Sequence, residues 1–244
     1  MNPKSTIASL LLTTALAVNA QSIFSGNGNS GFGGPIGGGS LSLADNGTVL
    51  SGTFTKGPNG FNDVLVIYID SVTGGFANTS SFGDGADGLR KSISGFDGGA
   101  NRSTLTFASG FLPDFALALG PSSDSFGGLW SLASGGANSL SFVSSANLTP
   151  TGTPTSSIYT FSINLSSIGI TTGQSFGLFG TYTSNSGYRS DEGVLGSATG
   201  SQGWNNFTQN TFATYTVAAV PEPSSVFLGL SGAATFLLLR RRNK

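Results

Sequence analysis

Short runs of Val, Ile, Thr, Tyr and Phe recur from Leu41 to Val217, each closed by a cluster of Gly, Asn, Asp or Ser. This punctuation restricts the chain to short strands joined by turns, because β-branched and aromatic residues suit a pleated surface and the intervening residues suit reversals. Strands are predicted at 41–44, 48–55, 63–70, 104–109, 115–119, 128–132, 139–143, 157–164, 175–182 and 211–217. The expected fold is therefore all-β, an antiparallel β-sandwich. Val64-Leu65-Val66-Ile67-Tyr68-Ile69 is apolar on both faces and should be a central strand covered on each side. In 157–164, Tyr159, Phe161 and Ile163 alternate with Ile158, Thr160, Ser162 and Asn164, which fits a strand with one buried face. Neither an ordinary helix nor an internal repeat is visible in this part of the chain.

Residues 21–40 read as a linker, because Gly, Asn and Ser dominate and offer little apolar surface to offset the entropy of ordering. Gly26-Asn27-Gly28-Asn29-Ser30-Gly31 matches the G-x-G-x-x-G spacing of dinucleotide-binding loops. That spacing binds pyrophosphate only between a strand and a helix, and further glycines and Pro35 stand where the helix should begin. No cofactor is expected.

The two ends carry addresses. Residues 1–20 have Lys4 as their single charge, an apolar stretch from Ile7 to Val18, and Val18-Asn19-Ala20 before Gln21. This is the pattern of a secretory signal peptide cut between Ala20 and Gln21, and it implies signal peptidase and the secretion machinery as partners. At the other end Val220-Pro221-Glu222-Pro223 is followed by an apolar run from Val226 to Leu239 and then Arg240-Arg241-Arg242-Asn243-Lys244. The prolines hold the segment extended. The apolar run is shorter than a full membrane span, but snorkelling arginines lengthen its reach and act as a membrane stop on the cytoplasmic side. This tripartite tail resembles the PEP-CTERM signal of Gram-negative bacteria. The resemblance implies processing near Pro221-Glu222-Pro223 by the membrane protease/transpeptidase exosortase. The expected itinerary is an inner-membrane-anchored precursor with a 41–219 ectodomain, then a product at the cell surface or outside the cell.

Between Gln21 and Val220 there are five bases, Lys56, Arg90, Lys91, Arg102 and Arg189, against nine aspartates and Glu192, so 5 − 10 = −5. Without a basic patch, nucleic acid is not an expected partner. The chain has no cysteine and no histidine, which excludes disulfides, thiolate nucleophiles, Cys/His zinc sites and His-dependent triads. Asn59-Gly60-Phe61-Asn62 before 63–70, the segment Phe107–Leu119 and Gly187-Tyr188-Arg189-Ser190-Asp191-Glu192 resemble a recurrent β-sandwich ectodomain of PEP-CTERM proteins. They are more distantly similar to carbohydrate-binding modules, which implies a jelly-roll-like sandwich but transfers no ligand residues.

Three groups of residues could carry chemistry. Asp84 and Asp87, with Asp97 nearby in sequence, form an oxygen-rich loop region; Asp-Gly turns are the simpler reading and an irregular calcium site the alternative. Trp204, beside Asn205 and Asn206, is a candidate sugar platform, since an aromatic face stacks on CH groups while amides meet hydroxyls; Trp130 is expected in the core. Asp191 and Glu192 are adjacent and should point to opposite faces, which argues against a glycosidase pair and favours an ion pair from Arg189 to Asp191 or to a distant aspartate. The expected function is that of a non-enzymatic exported surface or extracellular-matrix protein. Glycan binding, with or without calcium, is the alternative, and a carboxylate-dependent glycan hydrolase or lyase comes third.

Overall fold

The computed structural model describes residues 21–133, 135–136 and 138–218. The signal peptide read at 1–20 and the sorting signal read at 220–244 lie outside these residues. Among the described residues, no helix is long and apolar enough to cross a membrane.

The chain forms β1 (Ser22–Ser25), β2 (Ser40–Asp45), β3 (Val49–Thr55), β4 (Val64–Asp70), α1 (Gly88–Ser94), β5 (Thr104–Thr106), β6 (Phe115–Gly120), β7 (Phe126–Ser131), β8 (Ser141–Ser145), β9 (Ile158–Asn164), β10 (Ser175–Thr183), β11 (Arg189–Val194), β12 (Gly196–Thr199) and β13 (Asn206–Thr216). A 3-10 turn, Leu165–Ile168, follows β9. One sheet runs β1-β2-β3-β9 and a larger one β12-β13-β10-β4-β6-β7-β8. On the edge of β10 away from β4, β13 pairs with its first half and β11 with its second. β5 adds to β13 in parallel, whereas the pairings within both main strand orders are antiparallel. The fold is all-β, with the two sheets sharing a core.

That shared core follows from alternation. Leu41, Leu43, Leu50, Phe54, Tyr159, Phe161 and Ile163 of the smaller sheet meet Leu65, Ile67, Ile69, Leu117, Leu119 and Leu178 of the larger one. Gly52 lies opposite Phe161 on the neighbouring strand, and a Cβ there would stand 2.1 Å from the ring. Glycine is thus what lets the ring lie flat on β3. The intervening residues of β4, Val64, Val66 and Tyr68, enter a second core on the opposite face with Phe82, Leu89, Ile93, Phe107, Phe111, Trp130 and Phe179. Covered on both faces, β4 is the central strand its composition predicts, and Trp130 is in the core at 2 % exposure.

Helix α1 roofs part of the second core through Leu89 and Ile93. Its limits are chemical: the Asp87 side chain accepts the Arg90 N–H as N-cap, and Gly95, at φ 65°, takes the left-handed C-cap. Seven residues are too few for a visible helical period, and the Asp87-Gly88 step, read as a turn, is a helix start.

The linker expected at 21–40 is corrected. Ser22–Ser25 pairs with β2, Ile36 is fully buried, and Gly26 and Asn27 bond to the β11 side at Val194 and Gly193. Apolar burial alone does not order this segment. Its backbone donors are taken up by a carboxylate contributed from β11.

Candidate functional site

Strand β11 brings Arg189, Asp191 and Glu192 against residues 26–37. Glu192, 1 % exposed, accepts four backbone N–H bonds: Phe32 and Gly34 reach Oε1 at 2.7 and 3.1 Å, and Ile36 and Gly37 reach Oε2 at 3.0 and 3.1 Å. Gly33 and Gly34, at φ 100° and 85°, turn the chain so that successive donors converge, which is how main-chain nests hold anions. The glycine-rich stretch does bind an anion through its backbone, and the anion is the protein's own. Asp191 adds to the fastening. Its Oδ1 accepts the Gly31 N–H at 3.0 Å, and its carbonyl accepts the Asn27 and Asn29 amides at 2.8 and 2.9 Å.

Arg189 departs from expectation. It is 0 % exposed, yet among the described residues no carboxylate lies within 4.0 Å of its guanidinium, because the salt bridges found join Arg90 to Asp84 and Asp87. The ion pair expected from Arg189 to Asp191 or a distant aspartate is absent there, since Asp191 is engaged by residues 27–31. The guanidinium instead donates from Nη1 to Thr181 Oγ1 at 3.2 Å and lies 5.9 Å from the centre of the Phe207 ring.

A run of aromatic rings leads outward from this strand. Tyr182 meets Phe32 edge-on at 5.4 Å, Phe32 stacks on Tyr188 at 5.9 Å, and Tyr188 meets Trp204 edge-on at 5.7 Å. Phe32, Tyr188 and Trp204 are half-buried, while Asn205 and Asn206 are exposed. The Asn205 amide already donates to the carbonyls of Ser201 and Gln202, and Asn206 begins β13 opposite Thr104. Trp204 and its amide neighbours therefore stand together, but one amide closes its own loop. Phe32 and Tyr188 were missed as members of the group. An aromatic inside a glycine tract, Gly31-Phe32-Gly33, was the signal that could have found Phe32.

The acidic candidates are dispersed into structural roles, and no group of three or more His, Cys, Asp or Glu that could hold a metal occurs among the described residues. Asp84 is buried, accepts the Leu140 N–H at 3.0 Å and pairs with Arg90 at 3.2 Å. Asp87 caps α1. Asp97 accepts the N–H groups of Gly99 and Asn101 and the Asn101 amide, and these bonds, led by that of Gly99, hold its carboxyl below the usual range. Burial pushes Asp63 up, and the negative charges of Glu192 and Asp124 add to the effect. Burial likewise raises the Tyr182 hydroxyl, which accepts the Asp63 N–H at 2.9 Å.

An open groove of about 350 Å³ lies elsewhere, between Asp70–Thr73 on one side and Phe212 and Thr214 on the other. Comparison with protein-family models, curated proteins and solved structures gives no match.

Proposed function

We propose that the chain is the precursor of an exported, non-enzymatic surface or extracellular-matrix protein, sorted through a PEP-CTERM signal and processed by exosortase. The observation that carries this reading is the order of chemistries in the tail: Pro221-Glu222-Pro223, an apolar run, then Arg240-Arg241-Arg242. The described fold holds Val217 fully buried and the Ala218 N–H bonded to Asp45 at 3.3 Å, and Pro221 stands three positions further on in the sequence. Neutral polar side chains with few charges suit work outside the cytosol. Mass spectrometry of the product released from its native host tests the reading: a mature chain beginning at Gln21 and lacking Arg240–Lys244 is expected, and an intact tail on the extracellular form refutes processing.

Glycan binding is the second reading, and the half-buried Tyr188–Trp204 pair favours it. It goes with the resemblance to jelly-roll, carbohydrate-binding-module-like domains. On a polysaccharide array Trp204→Ala should reduce binding by about tenfold, in line with one lost aromatic contact. An array on which the wild-type chain binds no glycan removes the reading.

A further inference from the structure

Arg189 poses a problem that its neighbours, the hydroxyls of Thr181 and Tyr68, solve only in part. Its charge is permanent, because a guanidinium keeps its proton throughout the range in which proteins fold. It is wholly removed from water, and a buried cation is tolerated only when paired and hydrogen-bonded. Yet Nε and Nη2 have no hydrogen-bond partner, and neither does the buried hydroxyl of Thr183, which lies opposite Arg189 in the register of β10 and β11.

Beside the guanidinium is a largely enclosed cavity of about 10 Å³, lined among others by Arg189, Thr181, Phe207, Asn27, Asp191 and Glu192. The space admits one particle of about the size of a water molecule. Of the two acidic residues on its wall, Glu192 is committed through both oxygens and Asp191 through one. Both oxygens of Glu192 hold loop N–H groups, and Asp191 Oδ1 holds the Gly31 N–H. The donors left without a partner on the wall are the Nε–H and Nη2–H groups of Arg189.

We infer that this cavity is a binding site for one small monovalent anion of halide size, held by the Nε–H and Nη2–H groups of Arg189. A halide accepts from several donors at once and, as a single atom, comes nearer to a water molecule in size than any polyatomic anion. Sulfate, phosphate and carboxylates are too large. Because the site is enclosed, the ion is taken up as the fold closes and contributes to stability through its preference for the folded state.

The test is thermal unfolding of the full chain at constant ionic strength with chloride exchanged for gluconate. The midpoint of the wild type should climb with chloride and saturate, bromide should substitute, and Arg189→Met should remove the dependence. A wild-type midpoint that responds to chloride no more than that of Arg189→Met overturns the site. If Arg189→Met does not fold, crystals of the wild type grown in bromide decide the matter. An anomalous peak within hydrogen-bonding reach of Arg189 Nε supports the site, and its absence, with a water in that position, overturns it.

Discussion

Glu192 and Arg189 stand three positions apart on β11, both sealed from solvent, and the fold treats them in opposite ways. The carboxylate receives four main-chain donors from a loop whose glycines turn it around the charge. The guanidinium receives the hydroxyls of Thr181 and Tyr68 and a ring. A buried charge is expensive in proportion to what is left unpaired, so the pair separates two kinds of burial: one that organises a segment of chain, and one that leaves polar capacity over. Residues 26–37 have little apolar surface of their own, and Glu192 is what makes them structure.

The comparison breaks most sharply at Glu192. Glu192→Leu should cost about 3–5 kcal/mol in urea unfolding, since it strands several buried donors at once, and it should open residues 26–37 to proteases while β4 stays protected. A loss below about 1 kcal/mol would mean that the loop is held by something else. Next in size is Gly37→Ala. A Cβ there would come within 2.0 Å of the Asn29 carbonyl oxygen, and moving backbone to relieve it should cost about 2–3 kcal/mol. Arg189→Met should differ from both. In chloride-free buffer it is expected to be within about 1 kcal/mol of the wild type or more stable, as when apolar residues replace buried ions elsewhere. A loss as large as that of Glu192→Leu would erase the contrast.

The smallest effect is electrostatic and concerns Asp63. Its folded-state pKa lies above the unfolded value, so the folded protein binds the extra proton and Asp63's contribution to stability falls as pH rises through that window. Part of the elevation comes from Glu192. In Glu192→Gln the Asp63 titration followed by NMR should move down, and Asp63→Asn should flatten the decline of stability on the alkaline side of the window. An unmoved Asp63 midpoint would show that burial alone sets it.

Much of the all-β fold was legible because alternation and turn residues act locally. β4, β6, β9 and β10 fall where their composition places them, and the double coverage of β4 was readable from six apolar residues in a row. β11 was not. Arg-Ser-Asp-Glu-Gly-Val looks like a polar loop, yet it is a strand, and partners distant in sequence hold its Asp191 and Glu192. The same holds for residues 21–40, whose composition describes a linker until the carboxylate that fills it is known. Of the candidate site, Trp204 and its neighbours were visible as residue types. The stacking of Phe32 on Tyr188 depends on the loop closing, which no local pattern encodes.

The Phe32–Glu192 bond spans 160 residues of sequence, and this separation bears on how the chain matures. Because the polypeptide emerges amino end first, residues 26–37 appear early and their anchor late. Long-range contacts of this kind are slow to form because loop closure precedes any gain. The early segment must therefore wait, unshielded, for β11 to arrive, and a chain truncated before Arg189 should leave residues 26–37 without their anchor.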